Sequence, residues 1–123
     1  MGLIYQATRL RGDRGTREVK VLFDTGASQC FVRRDIAHAV ATPGRAPFAL
    51  AFETATGRVE TDQVIFAVVA VDGHELFWTF HVIADLTEEL ILGADFFQRW
   101  KIRLDPEREA VSVDPSALRL KLA

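Results

Sequence analysis

The sequence predicts an all-β fold, a closed barrel or sandwich that carries two short helices. Three observations predict it. β-branched and aromatic residues come in short runs, turn-forming residues separate those runs, and only two six-residue patches read as helix. A βαβ sheet would need longer helical segments between its strands, so the mostly-β architectures remain.

Leu3 to Leu10 and Glu18 to Phe23 flank Arg11-Gly12-Asp13-Arg14-Gly15, a polar loop with glycines, and read as a hairpin. Asp35 to Val40 gives one or two helical turns, closed by Pro43-Gly44. Phe48, Leu50, Phe52 and Val59 surround Thr54 to Arg58 and suggest a further hairpin. Val64 to Val71 and Glu75 to Ile83 flank Asp72-Gly73, a strong hairpin signal because both residues tolerate positive φ. Asp95 to Trp100 reads as the second helix, with Asp95 as N-cap and Gln98 reaching back to it. Ile102 to Leu104 and Ala110 to Val113 flank a turn at residues 105–109. Leu118 to Leu122 alternates with period two, the pattern of a half-buried strand.

The chain has 123 residues, within the roughly 100–200 of one domain, and residues 1–123 are read as a single domain. Its residues are 49% hydrophobic and 26% charged, which fits a packed core and excludes a disordered chain. Fifteen Lys and Arg against seventeen Asp and Glu leave a net charge of −2, so nucleic acid and anionic membrane are not expected partners. One cysteine, Cys30, excludes an intrachain disulfide and a multi-cysteine zinc site. The apolar run Val64 to Val71 falls far short of the ~20 residues that span a bilayer. No membrane segment is therefore expected. Met1-Gly2-Leu3-Ile4-Tyr5-Gln6 lacks the basic and long apolar regions of a secretory signal, so a cytoplasmic location is expected.

Two segments carry chemistry. In Val21-Leu22-Phe23-Asp24-Thr25-Gly26-Ala27-Ser28, an apolar strand delivers a lone carboxylate into a tight loop of small residues. Gly26 lets backbone approach closely, and the Thr25 hydroxyl can fix the loop. In Leu90-Ile91-Leu92-Gly93-Ala94-Asp95-Phe96-Phe97, an apolar strand ends at a glycine and turns at once into a helix. A glycine there fits a place where another element passes too close for a side chain.

Together these segments resemble the retropepsin-like aspartic proteases: the viral single-domain enzymes, their retrotransposon relatives and above all the bacterial retropepsin-like proteins. The resemblance runs from about Val19 to Val113. It includes the Asp-Thr-Gly-Ala-Ser loop, a flap hairpin with the tip Thr54-Ala55-Thr56-Gly57, and the Ile-Leu-Gly-x-Asp-Phe segment. It implies a closed barrel with a flap hairpin that acts as a two-fold dimer. In the family two aspartates share one proton, one acting as base on a water while the other donates to the scissile carbonyl. Such a pair works because like charges about 3 Å apart cannot both ionise. This chain has one such motif, so the second carboxylate is implied to be Asp24 of another copy.

By the same resemblance, Asp24 is catalytic, Thr25 locks the two loops across the dimer, and Gly26 presents backbone to substrate. Ala27 stands where pepsin-like enzymes usually carry a hydroxyl. Without that hydrogen bond to the ionised acid, a mildly acidic optimum is expected. Ser28, Thr54, Ala55, Thr56, Gly57 and Ile91 are the implied substrate contacts. Phe31, Val32, Phe52, Ile91 and Leu92 are expected to line the cleft and to favour apolar residues beside the cleaved bond. The expected activity is that of a homodimeric aspartic endopeptidase on protein or peptide substrates, with no metal or organic cofactor. Leu3-Ile4-Tyr5 and Leu118 to Leu122 are suited to an intersubunit sheet, though the tail packing within its own subunit is equally open. The alternative function is an inactive dimerising or peptide-binding module on the same fold.

Other residues read more simply. Gly93 and Asp95 are structural, for close packing and a helix cap. His38, His74 and His81 lack ligand spacing, and no second histidine follows His74-Glu75 at the zinc-protease offset. Cys30 reads as a buried inert thiol. Ser28 lacks a nucleophile elbow. The basic residues around Arg11 read as a solvated loop, and Phe77, Trp78 and Phe80 as core.

Overall fold

A computed structural model describes residues 3–54 and 57–121. Strand β1 (Ile4–Arg11) pairs antiparallel with β2 (Thr16–Phe23), Ile4 opposite Phe23 and Arg11 opposite Thr16. The loop between them is not merely solvated. Arg14 and Gly15 donate their backbone N–H to the Val40 carbonyl, at 2.8 and 3.2 Å. A Cβ at Gly12 would sit 2.3 Å from that same oxygen, so glycine alone fits. Asp13 accepts from the Thr42 N–H and hydroxyl, each at 2.7 Å, and these bonds hold its carboxyl below the usual range.

Val40 ends helix α1 (Arg34–Val40), which follows the short strand β3 (Phe31–Arg33) and buries Ile36, Ala37 and Val40. Strand β4 (Gly44–Thr54) and β5 (Gly57–Val71) form the next hairpin, broken by an irregularity between Arg45 and Leu50. Pro47 lies in that break, where its missing N–H costs no ladder bond. Beyond it, Leu50 pairs with Thr61 and Thr54 with Gly57. The β5 residues 57–63 have no partner in the following strand, so this part of the hairpin stands off the barrel.

From Val64 onward β5 pairs with β6 (His74–Ile83) through the Asp72-Gly73 turn, where φ is +51° and +75° as the dipeptide predicts. Ile65, Ala67, Val69 and Val71 alternate inward along β5. Strand β7 (Leu90–Leu92) leads into helix α2 (Ala94–Trp100), and β8 (Ile102–Asp105) pairs with β9 (Ala110–Val113).

The sheet order is β1-β2-β7-β3-β6-β5-β4, and β1 also pairs with β5 through Leu10–Val69 and Arg11–Val68. That seam closes β1, β2, β7, β3, β6 and β5 into a six-stranded barrel with β4 outside it, the closed architecture that the resemblance implies. β7 lies parallel to β2 and antiparallel to β3. Phe80, Phe96, Leu10, Leu76 and Leu90 are fully buried in its core. Truncating a residue such as Phe96 would cost about 3–5 kcal/mol.

Two expectations are corrected. Leu118 to Lys121 is not a strand, and Leu122 lies outside the described residues: Pro115–Leu118 forms a 3₁₀ turn capped by Asp114, and residues 119–121 carry no regular structure. Proline at its first turn and the Asp114 carboxylate, which accepts from Ser116 N–H at 2.9 Å, select the turn over extension. The turn packs on its own subunit, where Ala117 is buried and its carbonyl accepts from Arg99 at 3.0 Å. Asp95 is not the cap of α2 either. Gly93 occupies the cap position, and no side chain fills the role. Among the described residues no helix is long and apolar enough to cross a membrane.

Candidate active site

Asp24 is the first residue after β2. Its N–H donates to the Leu92 carbonyl at 3.0 Å, which ties the start of the loop to the end of β7. The chain then turns sharply: Ala27 N–H donates to the Asp24 carbonyl at 3.2 Å, and Gly26 N–H donates to Asp24 Oδ1 at 2.9 Å. A Cβ on Gly26 would stand 3.2 Å from that oxygen, so a glycine leaves the carboxylate room. Asp24 itself is partly exposed and Thr25 and Gly26 are exposed.

Past the turn, the loop becomes the missing cap of α2. Ala94 N–H donates to the Ala27 carbonyl at 2.8 Å and Asp95 N–H to the Ser28 carbonyl at 3.4 Å. Helix N–H groups that a side-chain cap would satisfy are thus met by main chain. The approach is close enough that a Cβ on Gly93 would lie 2.3 Å from Gln29 O and 2.7 Å from Ala27 O. The two motifs are one structure.

Asp95, inside the first turn of α2, divides its carboxylate between the helix start and the interior. Oδ2 accepts from Trp78 Nε1 at 2.9 Å, and Oδ1 accepts from Phe96 N–H at 2.8 Å and from the Cys30 thiol at 3.4 Å. Cys30 Sγ accepts from Gly93 N–H at 3.3 Å. Burial, reinforced by the Asp95 charge, pushes the thiol far above its ordinary pKa and keeps it protonated. Cys30 is thus a packing residue, as expected. His81 is half-buried, its Nε2 faces Gln29 Oε1, and burial lowers its pKa. Among the described residues no group of three or more His, Cys, Asp or Glu could hold a metal ion.

A cleft of about 620 Å³ opens over Asp24. Gly26, Ala27 and Ser28 form its floor beside Asp24, and Phe31, Ile83 and Ile91 form a wall. Phe52, Glu53, Thr54 and Val59 of the β4–β5 hairpin lie across from them, and Asp85, Leu86, Thr87 and Glu88 complete the rim. Phe31 and Phe52 meet edge to face across the cleft, with centroids 4.8 Å apart. Tyr5 donates to Glu88 Oε2 at 3.1 Å. That bond, with the Glu88 and Asp24 charges, raises the phenol's pKa.

Of the residues chosen from sequence, Asp24, Gly26, Ala27, Ser28, Thr54 and Ile91 line this cleft, while Thr25 and Gly57 do not. Ala55 and Thr56 lie outside the described residues. Val32 and Leu92 are corrected: both are fully buried, because their neighbours Phe31 and Ile91 take the cleft-facing side of each strand and alternation turns them into the core. Sequence reasoning missed the rim at residues 85–88 and Glu53. An acidic run between two apolar strands, entering the strand beside Asp24, was the available signal.

The family model described as "gag-polyprotein putative aspartyl protease" matches residues 13–99. No curated protein matches the sequence. Among solved structures, the chain is similar to the retroviral protease-like domain of Ddi1 from Leishmania major. Identity is 21% and the TM-score 0.66, over 94% of this chain and 90% of that one. It is similar also to the EIAV protease complexed with the inhibitor HBY-793. There identity is 23% and the TM-score 0.63, over 82% of this chain and 90% of that one. These likenesses agree with the barrel in fold, and the family match spans most of the chain: the protein belongs to the gag-polyprotein aspartyl protease family.

Proposed function

We propose that the chain, a single domain over residues 1–123, is one half of a homodimeric aspartic endopeptidase. The observation that carries this is the placement of Asp24. A lone carboxylate sits in a glycine turn at the floor of an open cleft, beneath a hairpin that stands off the barrel. One such acid cannot both activate water and protonate a carbonyl oxygen. Two copies related by a two-fold axis supply the pair, and they share one proton because both cannot ionise side by side.

The ionised Asp24 takes a proton from water as the oxygen attacks the scissile carbonyl, while its protonated twin donates to the carbonyl oxygen. The tetrahedral intermediate then collapses as a carboxyl proton passes to the leaving nitrogen. Gly26 N–H, which donates to Oδ1, holds the carboxylate orientation. Thr25 links the two loops, and Ala27 leaves the acid without a hydroxyl partner. Ser28, Ile91, Thr54, Ala55, Thr56 and Gly57 contact an extended peptide as the β4–β5 hairpin, acting as a flap, closes over it. Phe31, Phe52 and Ile91 favour apolar residues at the cleaved bond. Glu53, Asp85 and Glu88, with no Lys or Arg among the described lining residues, favour basic residues flanking it.

The test is cleavage of an unfolded protein between pH 4 and 8 by wild type and Asp24→Asn, with and without an aspartic-protease inhibitor. Sedimentation is measured in parallel. Expected are a dimer, inhibitor-sensitive cleavage, and a loss on the order of 10³-fold or more in the variant. Undiminished cleavage by Asp24→Asn, or by a strict monomer, would overturn the reading; absence of any cleavage points to the peptide-binding module.

A further inference from the structure

His81 does not line the cleft but sits beside two residues that do, Phe31 and Phe52. On β6 it is paired with Phe31 of β3 and with Val64 of β5. Its ring stands 5.8 Å from that of Phe31 and 5.0 Å from that of Phe52, so three rings join the cleft wall to the β4–β5 hairpin. Its Nε2 meets the side-chain oxygen of Gln29. Gln29 belongs to the loop that begins at Asp24, and its carbonyl is the atom pressed against Gly93. One side chain therefore touches both parts that the chemistry must hold in register.

We infer that His81 is a positioning residue for the cleavage proposed above, holding the Asp24 loop through Gln29 and the overlying hairpin through Phe52. The inference rests on the protease reading and adds a residue to it.

The ring's protonation state follows from its surroundings. With Gln29 Oε1 accepting, Nε2 carries the hydrogen, and Nδ1 is buried without a hydrogen-bond partner among the described residues. A second proton would place an N–H there with no acceptor, so the neutral ring is the competent one. Phe31 of β3, Phe52 of β4 and Val64 of β5 bring no charge to it. The charged group that reaches it is Asp95 at the start of α2, and its attraction only partly offsets burial. Acid therefore protonates Nδ1, and the ring must leave its place against Phe31 and Phe52 to give the new N–H an acceptor.

The experiment separates the two ties. His81→Phe keeps the ring contacts and loses the link to Gln29: kcat falls about 5-fold, the factor a net hydrogen bond is worth, with KM unchanged. His81→Gln keeps a polar group and loses the rings: KM rises about 2- to 10-fold, the range of an aromatic pair, with kcat retained. Gln29→Ala leaves the ring cluster intact and reproduces the kcat loss, which keeps the idea testable if a His81 variant folds poorly. The acid limb of kcat/KM moves to lower pH in His81→Phe and stays in place in Gln29→Ala, a change that a purely structural role would not cause. Wild-type kcat, KM and acid limb in all three variants, with cleavage still abolished by Asp24→Asn, would overturn the inference alone. No Asp24-dependent cleavage in the wild type would overturn the protease reading and this inference with it.

Discussion

Replacing Gly93 with alanine tests whether the Asp24 loop and helix α2 form a single packed unit. The added methyl would stand 2.3 Å from Gln29 O and 2.7 Å from Ala27 O, whereas ordinary contact begins at 3.4 Å. Both obstacles are main-chain atoms, so the loop itself must retreat by about 1 Å. Overpacking of this kind costs about 1–3 kcal/mol. The bond from Ala94 N–H to Ala27 O, now 2.8 Å, weakens with it, adding about 1 kcal/mol. The sum, about 2–4 kcal/mol, lowers the melting temperature by roughly 8–16 °C at ~4 °C per kcal/mol. Because the retreat moves the acid, cleavage should fall about 10²-fold even at temperatures where the variant is folded. Calorimetry and peptide cleavage on the same preparation measure both. Gly26→Ala is the first control: its Cβ meets Asp24 Oδ1 at 3.2 Å, so activity falls while the melting temperature holds. Gly73→Ala is the second. It has open space but φ +75°, and it loses about 1–2 kcal/mol without touching activity. A Gly93→Ala protein with wild-type melting and turnover would refute the account of how the loop is held.

Cys30 is buried with its thiol held protonated, so the native protein should resist iodoacetamide at pH 8 and keep full activity; rapid alkylation or inactivation contradicts that placement. Ending the chain at Leu118 spares the packed Pro115–Leu118 turn. Melting of the isolated subunit should stay unchanged while the dimer weakens, and an unchanged dimer constant by sedimentation removes residues 119–123 from the interface. Peptides with Lys or Arg flanking an apolar pair should give a higher kcat/KM than acidic ones, with the advantage shrinking as salt rises. Glu53→Gln with Asp85→Asn should narrow that preference several-fold, and equal rates for both peptide sets would exclude charge selection by the rim.

Much of this was legible because the signals are local. Asp72-Gly73 announces a turn that needs two positive φ values, and the alternating Ile65, Ala67, Val69 and Val71 announce which face of β5 is buried. The Asp24 loop was readable because it is followed, in the order the family resemblance requires, by the Ile-Leu-Gly-x-Asp-Phe segment. What was not legible depends on distant partners. Asp95 looks like a helix cap until Ala27 O and Ser28 O are seen to occupy that role, which leaves the carboxylate to Trp78. Leu118 to Leu122 alternates as a strand would, yet Pro115 and Asp114 commit the preceding residues to a turn. Val32 and Leu92 look as suitable for a cleft as Phe31 and Ile91; only the direction of the pleat separates them.

The parallel pairing of β2 with β7 has a consequence for synthesis. Val21 to Phe23 find their partners at Leu90 to Leu92, some 70 residues later in translation, and pairings so remote are made slowly. A chain still emerging from the ribosome thus carries Asp24 without the backbone that orients it. The acid takes its place in the cleft only once residues 90–92 have been made.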